Sequence, residues 1–355
     1  MLEYIKKMLI DMKTKEASDL HITANSPAHY RINNNLEKVN DHVMTEDEAR
    51  EGTFSTMSDE QIVRFEKEKE MDFSFSIEGV ARYRINVFFQ RGFVGCAIRM
   101  IPVEILGISE CGLPEKIVKG FCRAFQGLVL VTGATGSGKS TTLAAMVDEI
   151  NTTRKCHIVT VEDPLEFLHH NKTAVVDQRE VMFDTYSFTN ALMRVLRQDP
   201  DVILIGELRD FESIQQALVI ADTGHLVLAT LHTSDSVQTI NRIVDVFPAH
   251  QHRQIRMQLS FDLLGIISQQ LITKADDSGR VLAAEILVAT PPIRNMIREE
   301  KIHQIYSSIQ TSQKMGMRTM NQSLAELFKA GTISYESAMS RSSDAEELER
   351  LVGKQ

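Results

Sequence analysis

The chain has 355 residues, of which 43% are hydrophobic and 25% are charged, and its formal net charge is −9. This length accommodates two or three ordinary domains, and the composition is typical of a globular protein. The negative charge argues against nucleic acid as the main partner, since a duplex binder needs a basic footprint, and the lack of any apolar run of about 18 residues excludes a transmembrane helix.

Short strands and one or two helices follow each other at the start of the chain, which predicts an α+β domain at residues 1–100. Residues 18–23 and 30–33 are predicted strands, and the asparagines at 33–35 predict a hairpin turn. Two prolines and two glycines without a clear hydrophobic period then predict a linker at residues 101–114.

One further strand of this domain, residues 82–88, alternates clearly between polar and apolar positions. Successive side chains of a strand point to opposite faces, so Tyr83 and Ile85 are predicted to face the core. Arg82 and Arg84 then share the polar face of the same strand.

A second domain is predicted at residues 115–355. Apolar strands alternate with helical segments from about 115 to 275, which predicts an α/β fold with a mainly parallel sheet covered on both faces. From about 285 to 355 the pattern is helical, so this domain is expected to end in a helical portion.

Residues 133–140 match every fixed position of the phosphate-loop pattern G-x-x-x-x-G-K-[ST]. An apolar, β-branched run at 127–132 precedes them, and residues 141–150 have the apolar spacing of a helix. This order predicts a site for ATP, in which Lys139 binds phosphate and the Ser140 hydroxyl holds Mg²⁺. The predicted nucleotide contacts are Gly133, Thr135, Gly136, Ser137, Gly138, Lys139, Ser140 and Thr141.

Acidic residues follow two other predicted strands at the end where a parallel sheet collects its ligands. Glu207 follows the apolar strand 202–205 and is predicted to orient Mg²⁺, directly or through water. Glu162 and Glu166 follow the strand 157–161, and either one is a candidate general base for hydrolysis.

Two histidines, His225 and His232, bound a predicted strand between them. Only His232 ends that strand on the nucleotide side, which makes it the better candidate to sense the terminal phosphate. The two histidines lie about 20 Å apart along the strand, so they cannot share a metal ion.

Four segments resemble, in chain order, the nucleotide boxes of secretion and pilus ATPases, namely Walker A, the Asp box, Walker B and the His box. These segments are residues 133–140, 161–166, 196–210 and 223–233. The likeness continues at 245–248 and 293–299 and covers essentially the whole chain. The sequence therefore resembles the PilT family of type IV pilus retraction ATPases.

This resemblance implies a homohexameric ring whose subunits have an N-terminal PAS-like domain and a C-terminal RecA-like P-loop NTPase domain, with ATP between them. It implies roles for six residues outside the phosphate loop: Glu166 as catalytic base, Glu207 as Walker B acid, His225 and His232 as the His-box pair, and Arg82 and Arg84 approaching the nucleotide. Arg194 and Arg197, which precede the Walker B strand, are rival candidates for the arginine role.

The retraction motif of the family reads A-I-R-N-L-I-R-E, and residues 292–299 differ from it only by proline at 292 and methionine at 296. Proline is tolerated in the first turn of a helix, and methionine conserves the volume of leucine. Ile293, Met296 and Ile297 are expected to pack inward. The residues expected to contact a partner, an inner-membrane pilus platform protein, are Arg294, Asn295, Arg298 and Glu299.

The expected function is a cytoplasmic ATPase motor, peripheral to the inner membrane at the pilus base, that powers pilus retraction and twitching motility. Pilus assembly and type II secretion ATPases are the first alternative. They usually have a longer N-terminal region and a tetracysteine zinc insertion, whereas the four cysteines here are scattered. A nucleic-acid motor on a RecA-like core and a non-hydrolysing regulatory subunit are the other two alternatives.

Overall fold

The computed structural model describes residues 2–32, 35–77, 79–101 and 104–353. The chain divides into two compact units, Met1–Glu104 and Ile105–Gln355. Two of the three asparagines of the predicted hairpin turn, at positions 33 and 34, lie outside the described residues.

The first unit is an α+β unit built on one antiparallel sheet. Its described elements are α1 (Glu3–Thr14), β1 (Asp19–Thr23), β2 (Ser26–Ile32), β3 (Asn35–Met44), α2 (Glu46–Phe54), α3 (Asp59–Glu68), β4 (Glu70–Ile77), β5 (Ala81–Gln90) and β6 (Phe93–Ile101). The strand order is β3-β2-β1-β6-β5-β4, and every neighbouring pair is antiparallel.

The core of this unit lies between the sheet and the amphipathic helix α1. Tyr83 of β5 is fully buried, as the sequence alternation predicted, and its hydroxyl donates to the backbone oxygen of Leu9 at 2.7 Å. Tyr30 of β2 donates in the same way to Met8 at 2.8 Å. The two buried phenols therefore satisfy their hydroxyls on one helix and tie it to the sheet.

The second unit contains the other sheet. Its strands are β7 (Gly127–Thr132), β8 (His157–Glu162), β9 (Val175–Glu180), β10 (Val202–Ile205), β11 (Leu226–Leu231), β12 (Leu263–Thr273) and β13 (Arg280–Val288). They lie in the order β13-β12-β7-β11-β10-β8-β9, and all neighbours are parallel except β12 and β13. The prediction of a mainly parallel sheet is confirmed.

Helices cover the sheet and form the end of the chain. They are α4 (Glu115–Cys122), α5 (Lys139–Thr153), α6 (Phe188–Val195), α7 (Phe211–Asp222), α8 (Ser236–Asp245), α9 (His252–Asp262), α10 (Pro291–Arg298), α11 (Ile305–Thr311), α12 (Met320–Lys329), α13 (Tyr335–Arg341) and α14 (Ala345–Val352). The helical portion begins slightly later than predicted, because β13 continues to Val288.

The central strand β7 is buried on both faces. Leu128 and Leu130 pack into one hydrophobic cluster, while Val129 and Val131 pack into the cluster on the opposite side of the sheet. Burying a leucine or valine side chain completely contributes about 1.5–3 kcal/mol. This core fixes the carboxyl end of β7, where the phosphate-loop sequence begins.

The described part of the chain contains no helix with the length and apolarity needed to cross a membrane. Within the same residues no cluster of three or more histidine, cysteine or acidic side chains has the arrangement of a metal site. All four cysteines are free thiols.

Candidate functional site

The loop after β7 depends on glycine at positions that no other residue occupies without strain. Gly133 has a φ of +143°, and a Cβ atom there would lie 2.5 Å from both the backbone oxygen of Gln269 and the Ser137 hydroxyl. Gly138 has a φ of +91° and directly precedes α5. The backbone therefore turns tightly from the strand into the start of a 15-residue helix.

Lys139 is the first residue of α5, and it is buried. Its ammonium group donates to the backbone oxygens of Gly133 at 2.8 Å and Ala134 at 3.1 Å. Burial lowers the pKa of Lys139, while the nearby carboxylate of Glu207 acts in the opposite direction. The loop thus holds the Lys139 ammonium group against its own backbone oxygens. An anion such as phosphate is a stronger acceptor and can replace them.

Several features of this loop fit a polyphosphate. The first N–H groups of α5 have no acceptor within the helix, and the helix dipole places partial positive charge there. The Ser137 hydroxyl is buried and has no hydrogen-bond partner among the described residues. Gln269 of β12 supports the helix start by donating to the Thr142 hydroxyl at 2.7 Å.

Glu207 follows β10 and lies beside the end of β11. The Leu208 N–H donates to the Thr230 backbone oxygen at 3.0 Å, so the pairing of these strands continues past Glu207. A Cβ atom at Gly206 would lie only 3.2 Å from the Cα of Glu162, which explains the glycine before the carboxylate. The backbone of Glu207 is therefore held on both sides.

The Glu207 carboxylate lies beside a guanidinium and an imidazole. Its Oε2 lies 2.8 Å from Arg209 Nη2, and its Oε1 lies 3.2 Å from His232 Nε2. Partial burial opposes ionisation, but Arg209, His232 and Lys139 together hold the pKa of Glu207 below its ordinary value. The carboxylate is therefore ionised at neutral pH, as a Mg²⁺-orienting group has to be.

Arg209 is the site residue that the sequence analysis missed. It also lies near Asp163, and the hydrogen bond to Glu207 is the main reason why the pKa of Arg209 is raised. Acidic residues after two strand ends require a compensating cation, and Arg209 supplies one. Its position two residues after Glu207 was the sequence feature that could have identified it.

Glu162 and Glu166 have different surroundings. Glu162 is buried at the end of β8, where it accepts hydrogen bonds from the Thr160 hydroxyl at 2.7 Å, the Gln178 amide at 3.4 Å and the Glu166 N–H at 3.3 Å. Burial raises the pKa of Glu162 to about 7, although these hydrogen bonds act against the shift. Glu166 is exposed, and its backbone is anchored on Glu162.

The two histidines lie at opposite ends of β11. His232 follows the strand at the nucleotide edge, as predicted, whereas His225 precedes it and accepts a bond from the Gly127 N–H at the start of β7. The His225 ring contacts the Ile220 backbone oxygen and the Thr223 hydroxyl, both at 3.2 Å. A six-residue strand, about 20 Å long, separates it from the phosphate loop. The nucleotide contact expected for His225 stays a prediction.

The four candidate arginines lie in both units. Arg82 and Arg84 share the half-exposed face of β5, and Arg84 Nε lies 3.6 Å from Asp72 Oδ1. Arg194 and Arg197 are exposed at and just after the end of α6.

The retraction-motif segment forms helix α10. Ile293 and Ile297 are buried and Met296 is partly buried, as expected. The Arg294 guanidinium contacts backbone oxygens of its own unit: Nε donates to the Ala289 oxygen at 2.9 Å, and Nη1 caps the end of α9 by donating to the oxygens of Ser260 and Phe261. The last carbonyl oxygens of a helix receive no hydrogen bond from within that helix, and here an arginine donates to them. The partner contact expected for Arg294 stays a prediction. Asn295 and Glu299 are exposed, and Arg298 is half-buried.

Comparison with known proteins identifies one family, and the match extends over nearly the whole chain. Residues 1–348 match the family described as type II/IV secretion system protein. The chain is 46% identical over 334 residues to the protein of Pseudomonas aeruginosa named type IV pilus retractation ATPase PilT, covering 94% of this chain and 96% of that one. It is 39% identical over 347 residues to the type IV pilus ATPase PilU of the same species, covering 98% and 91%.

A solved structure agrees with these sequence relatives. The crystal structure of the pilus retraction motor PilT with bound ADP superposes with a TM-score of 0.92 at 46% identity, covering 99% of this chain and 100% of that one. The fold of this chain is thus matched over nearly its full length. The chain belongs to the PilT family of type IV pilus retraction ATPases.

Proposed function

We propose that this protein hydrolyses ATP and uses the energy to power type IV pilus retraction, and hence twitching motility. The observation that carries the proposal is the convergence of Lys139, Glu207 and His232 at the carboxyl ends of the adjacent strands β7, β10 and β11. A buried cation, an ionised carboxylate and an imidazole in one crevice match the needs of phosphoryl transfer to water.

In this proposal the phosphate loop and Lys139 bind the phosphates of ATP. The Ser140 hydroxyl and Glu207 would hold Mg²⁺, which neutralises the charge that develops on the transferred phosphoryl group. His232, paired with Glu207, is placed to contact the terminal phosphate. Thr135, Ser137 and Thr141 complete the cradle around the β-phosphate.

Glu166 is the preferred general base over Glu162. A base has to reach the attacking water, and the exposed carboxylate of Glu166 is free to do so. The Glu162 carboxylate is buried and both of its oxygens accept hydrogen bonds from the protein, so it supports the backbone that carries Glu166. Both residues remain assignments to be tested.

What we propose for the wider assembly is supported by family membership alone. We propose a homohexameric ring at the cytoplasmic face of the inner membrane, acting on a membrane platform protein at the pilus base through the exposed residues of α10. Arg82 and Arg84 are proposed to approach a nucleotide bound between an N-terminal and a C-terminal domain, and Arg194 and Arg197 are the alternative pair.

The proposal is tested by deleting the gene in the parent organism and restoring it in four forms: wild type, Lys139→Ala, Glu207→Ala and Lys155→Ala. Lys155 is an exposed lysine beyond α5 and serves as the matched control. We expect hyperpiliated, non-twitching cells after deletion, rescue by wild type and Lys155→Ala only, and steady-state ATPase activity in the same two purified proteins.

Three outcomes would contradict the proposal. Substantial ATPase activity in purified Lys139→Ala or Glu207→Ala would remove the site assignment. Bald cells after deletion would instead indicate an assembly motor, and DNA-stimulated ATPase at about 0.15 M salt would indicate a nucleic-acid motor.

A further inference from the structure

A groove of about 350 Å³ opens between α4, the β12–β13 pair and the start of α10, away from the phosphate loop. Its walls are mainly apolar and include Phe121, Ala124, Leu264 and Val288. Lys116 and Arg294 add two cationic side chains to the lining. The groove therefore combines an apolar floor with positive charge, next to the helix that carries the retraction motif.

Two glycines allow α4 to pack closely against its neighbours. A Cβ atom at Gly265 would lie 2.2 Å from the Phe121 ring, and one at Gly316 would lie 2.2 Å from the Ile117 side chain. These two glycines thus make room for side chains of α4. The position of the helix, and with it one wall of the groove, is fixed by packing.

Gly120 behaves differently from these two glycines. It lies inside α4 and lines the groove, yet a Cβ atom there would meet no described atom within 4 Å. Glycine inside a helix is destabilising relative to alanine, and the packing of this unit gives no reason for it. The missing side chain keeps the groove open to an incoming group.

The charges at the groove favour an acidic ligand. Lys119 is already paired with Glu115 at 2.7 Å and Glu149 at 3.5 Å. The exposed ammonium group of Lys116 has no ion pair among the described residues, and Arg294 uses Nε and Nη1 for backbone oxygens but no described acceptor for Nη2. Two donors with positive charge are therefore available to a carboxylate.

We propose that this α4–α10 groove binds an acidic, amphipathic segment of the pilus-base protein on which the motor acts. One bulky apolar side chain of that segment enters beside Gly120, and a neighbouring carboxylate pairs with Lys116 and Arg294. The proposal rests on the proposed function, since it names the surface through which a retraction motor engages its partner. Apolar anchors in pockets carry most of the binding energy in such interfaces, and charge pairs at the rim set specificity and orientation.

The test uses the full chain and inverted inner-membrane vesicles of the parent strain, prepared with and without the platform protein. Gly120→Leu fills the groove, Lys116→Glu reverses the rim charge, and Lys329→Glu reverses an exposed charge on α12 as the matched control. We expect wild type and Lys329→Glu to bind platform-containing vesicles, and both groove variants to bind about 30-fold more weakly, the loss typical of a hot-spot residue. ATPase activity should stay unchanged in all four proteins.

A photo-crosslinking residue at exposed position 123, next to Ala124 of the groove lining, then identifies the occupant in living cells while the groove stays open. A crosslink to an acidic segment of the platform protein, lost when Lys116→Glu is added, would support the proposal. A crosslink to a second copy of this chain, or loss of the oligomer in the groove variants, would show a subunit interface and overturn it. So would equal vesicle binding and normal twitching in both groove variants.

The two proposals fail in distinguishable ways. If the wild-type protein does not hydrolyse ATP, or its deletion leaves retraction intact, the proposed function fails. If the wild type restores twitching and Gly120→Leu restores it equally well, the proposed function stands and the groove has no such partner.

Discussion

At the scale of single residues, burial separates two carboxylates that lie four positions apart. Glu162 is almost fully enclosed and accepts three hydrogen bonds from the protein, whereas Glu166 is exposed. A general base needs access to water, and a supporting residue needs fixed partners. Their position after a strand left both residues open as candidates, and the family resemblance implied Glu166. Their burial favours the same residue.

We predict that Glu166→Gln lowers steady-state ATP turnover by about 10² to 10⁴-fold, the usual contribution of a general base. Glu162→Gln should retain most of the turnover, because a glutamine oxygen still accepts hydrogen bonds from Thr160 or the Glu166 N–H. Nucleotide affinity, measured by fluorescence titration, should change little in either variant. A larger loss of turnover in Glu162→Gln than in Glu166→Gln would reverse the assignment.

The raised pKa of Glu162 also predicts a pH dependence of stability. The folded pKa is about 7 and the ordinary value is 4.5, so between these pH values the folded state holds a proton that the unfolded state has released. The free energy of unfolding of the wild type should therefore fall relative to Glu162→Gln as the pH rises from about 4.5 to 7, by at most about 3 kcal/mol. Urea unfolding at pH 5 and pH 8 measures the difference, and parallel pH profiles would contradict it.

At the scale of helices and strands, the contact between α9 and α10 shows how one side chain joins two elements. Arg294 satisfies backbone oxygens at the end of α9 while the neighbouring isoleucines bury the other side of α10. A cation at a helix C-terminus is also favourable for the helix dipole. Arg294 therefore positions the exposed motif residues, and it also lines the α4–α10 groove.

We predict that Arg294→Ala lowers the free energy of unfolding by about 1–3 kcal/mol, because two last-turn oxygens of α9 and the Ala289 oxygen lose a charged donor. Arg298→Ala is the matched control. Arg298 lies one turn later, and the polar and ring contacts of its side chain with described residues are the Asn295 side chain at 3.4 Å and the face of the Phe261 ring. Urea unfolding of both purified variants measures the effect. Equal midpoints for the two would show that the cap contributes nothing to stability.

The central strands were predictable, because β7, β10 and β11 are short, β-branched and buried on both faces. Their direction also placed Glu207 and His232 correctly. The end of β13 was not predictable, because its alanine-rich sequence suits a buried helix as well as a strand. The cap made by Arg294 was not predictable either, since it joins residues that are 34 positions apart in the sequence.

At the scale of the whole molecule, each of the two units has its own sheet and its own hydrophobic core. The phosphate loop, Glu207 and His232 all belong to the second unit, in which Arg209 pairs with Glu207. A motor also needs a way to couple hydrolysis to movement between its parts, and an arginine that enters and leaves the site provides one. The first unit offers Arg82 and Arg84 on one face of β5, whose opposite face is buried.

The last prediction concerns this coupling and the ring that it requires. We expect the purified protein with ATP to form particles of six times the mass of one chain in mass photometry, and Arg82→Ala/Arg84→Ala to form the same particles. Turnover in that double variant should fall by about 10³-fold or more, the effect of removing an arginine from a phosphoryl-transfer transition state, while ATP affinity changes little. Arg194→Ala/Arg197→Ala is the matched comparison, because these exposed arginines belong to the second unit. If this second pair loses turnover and the first does not, hydrolysis is completed by arginines of the second unit, and contact from the first unit is not what triggers it.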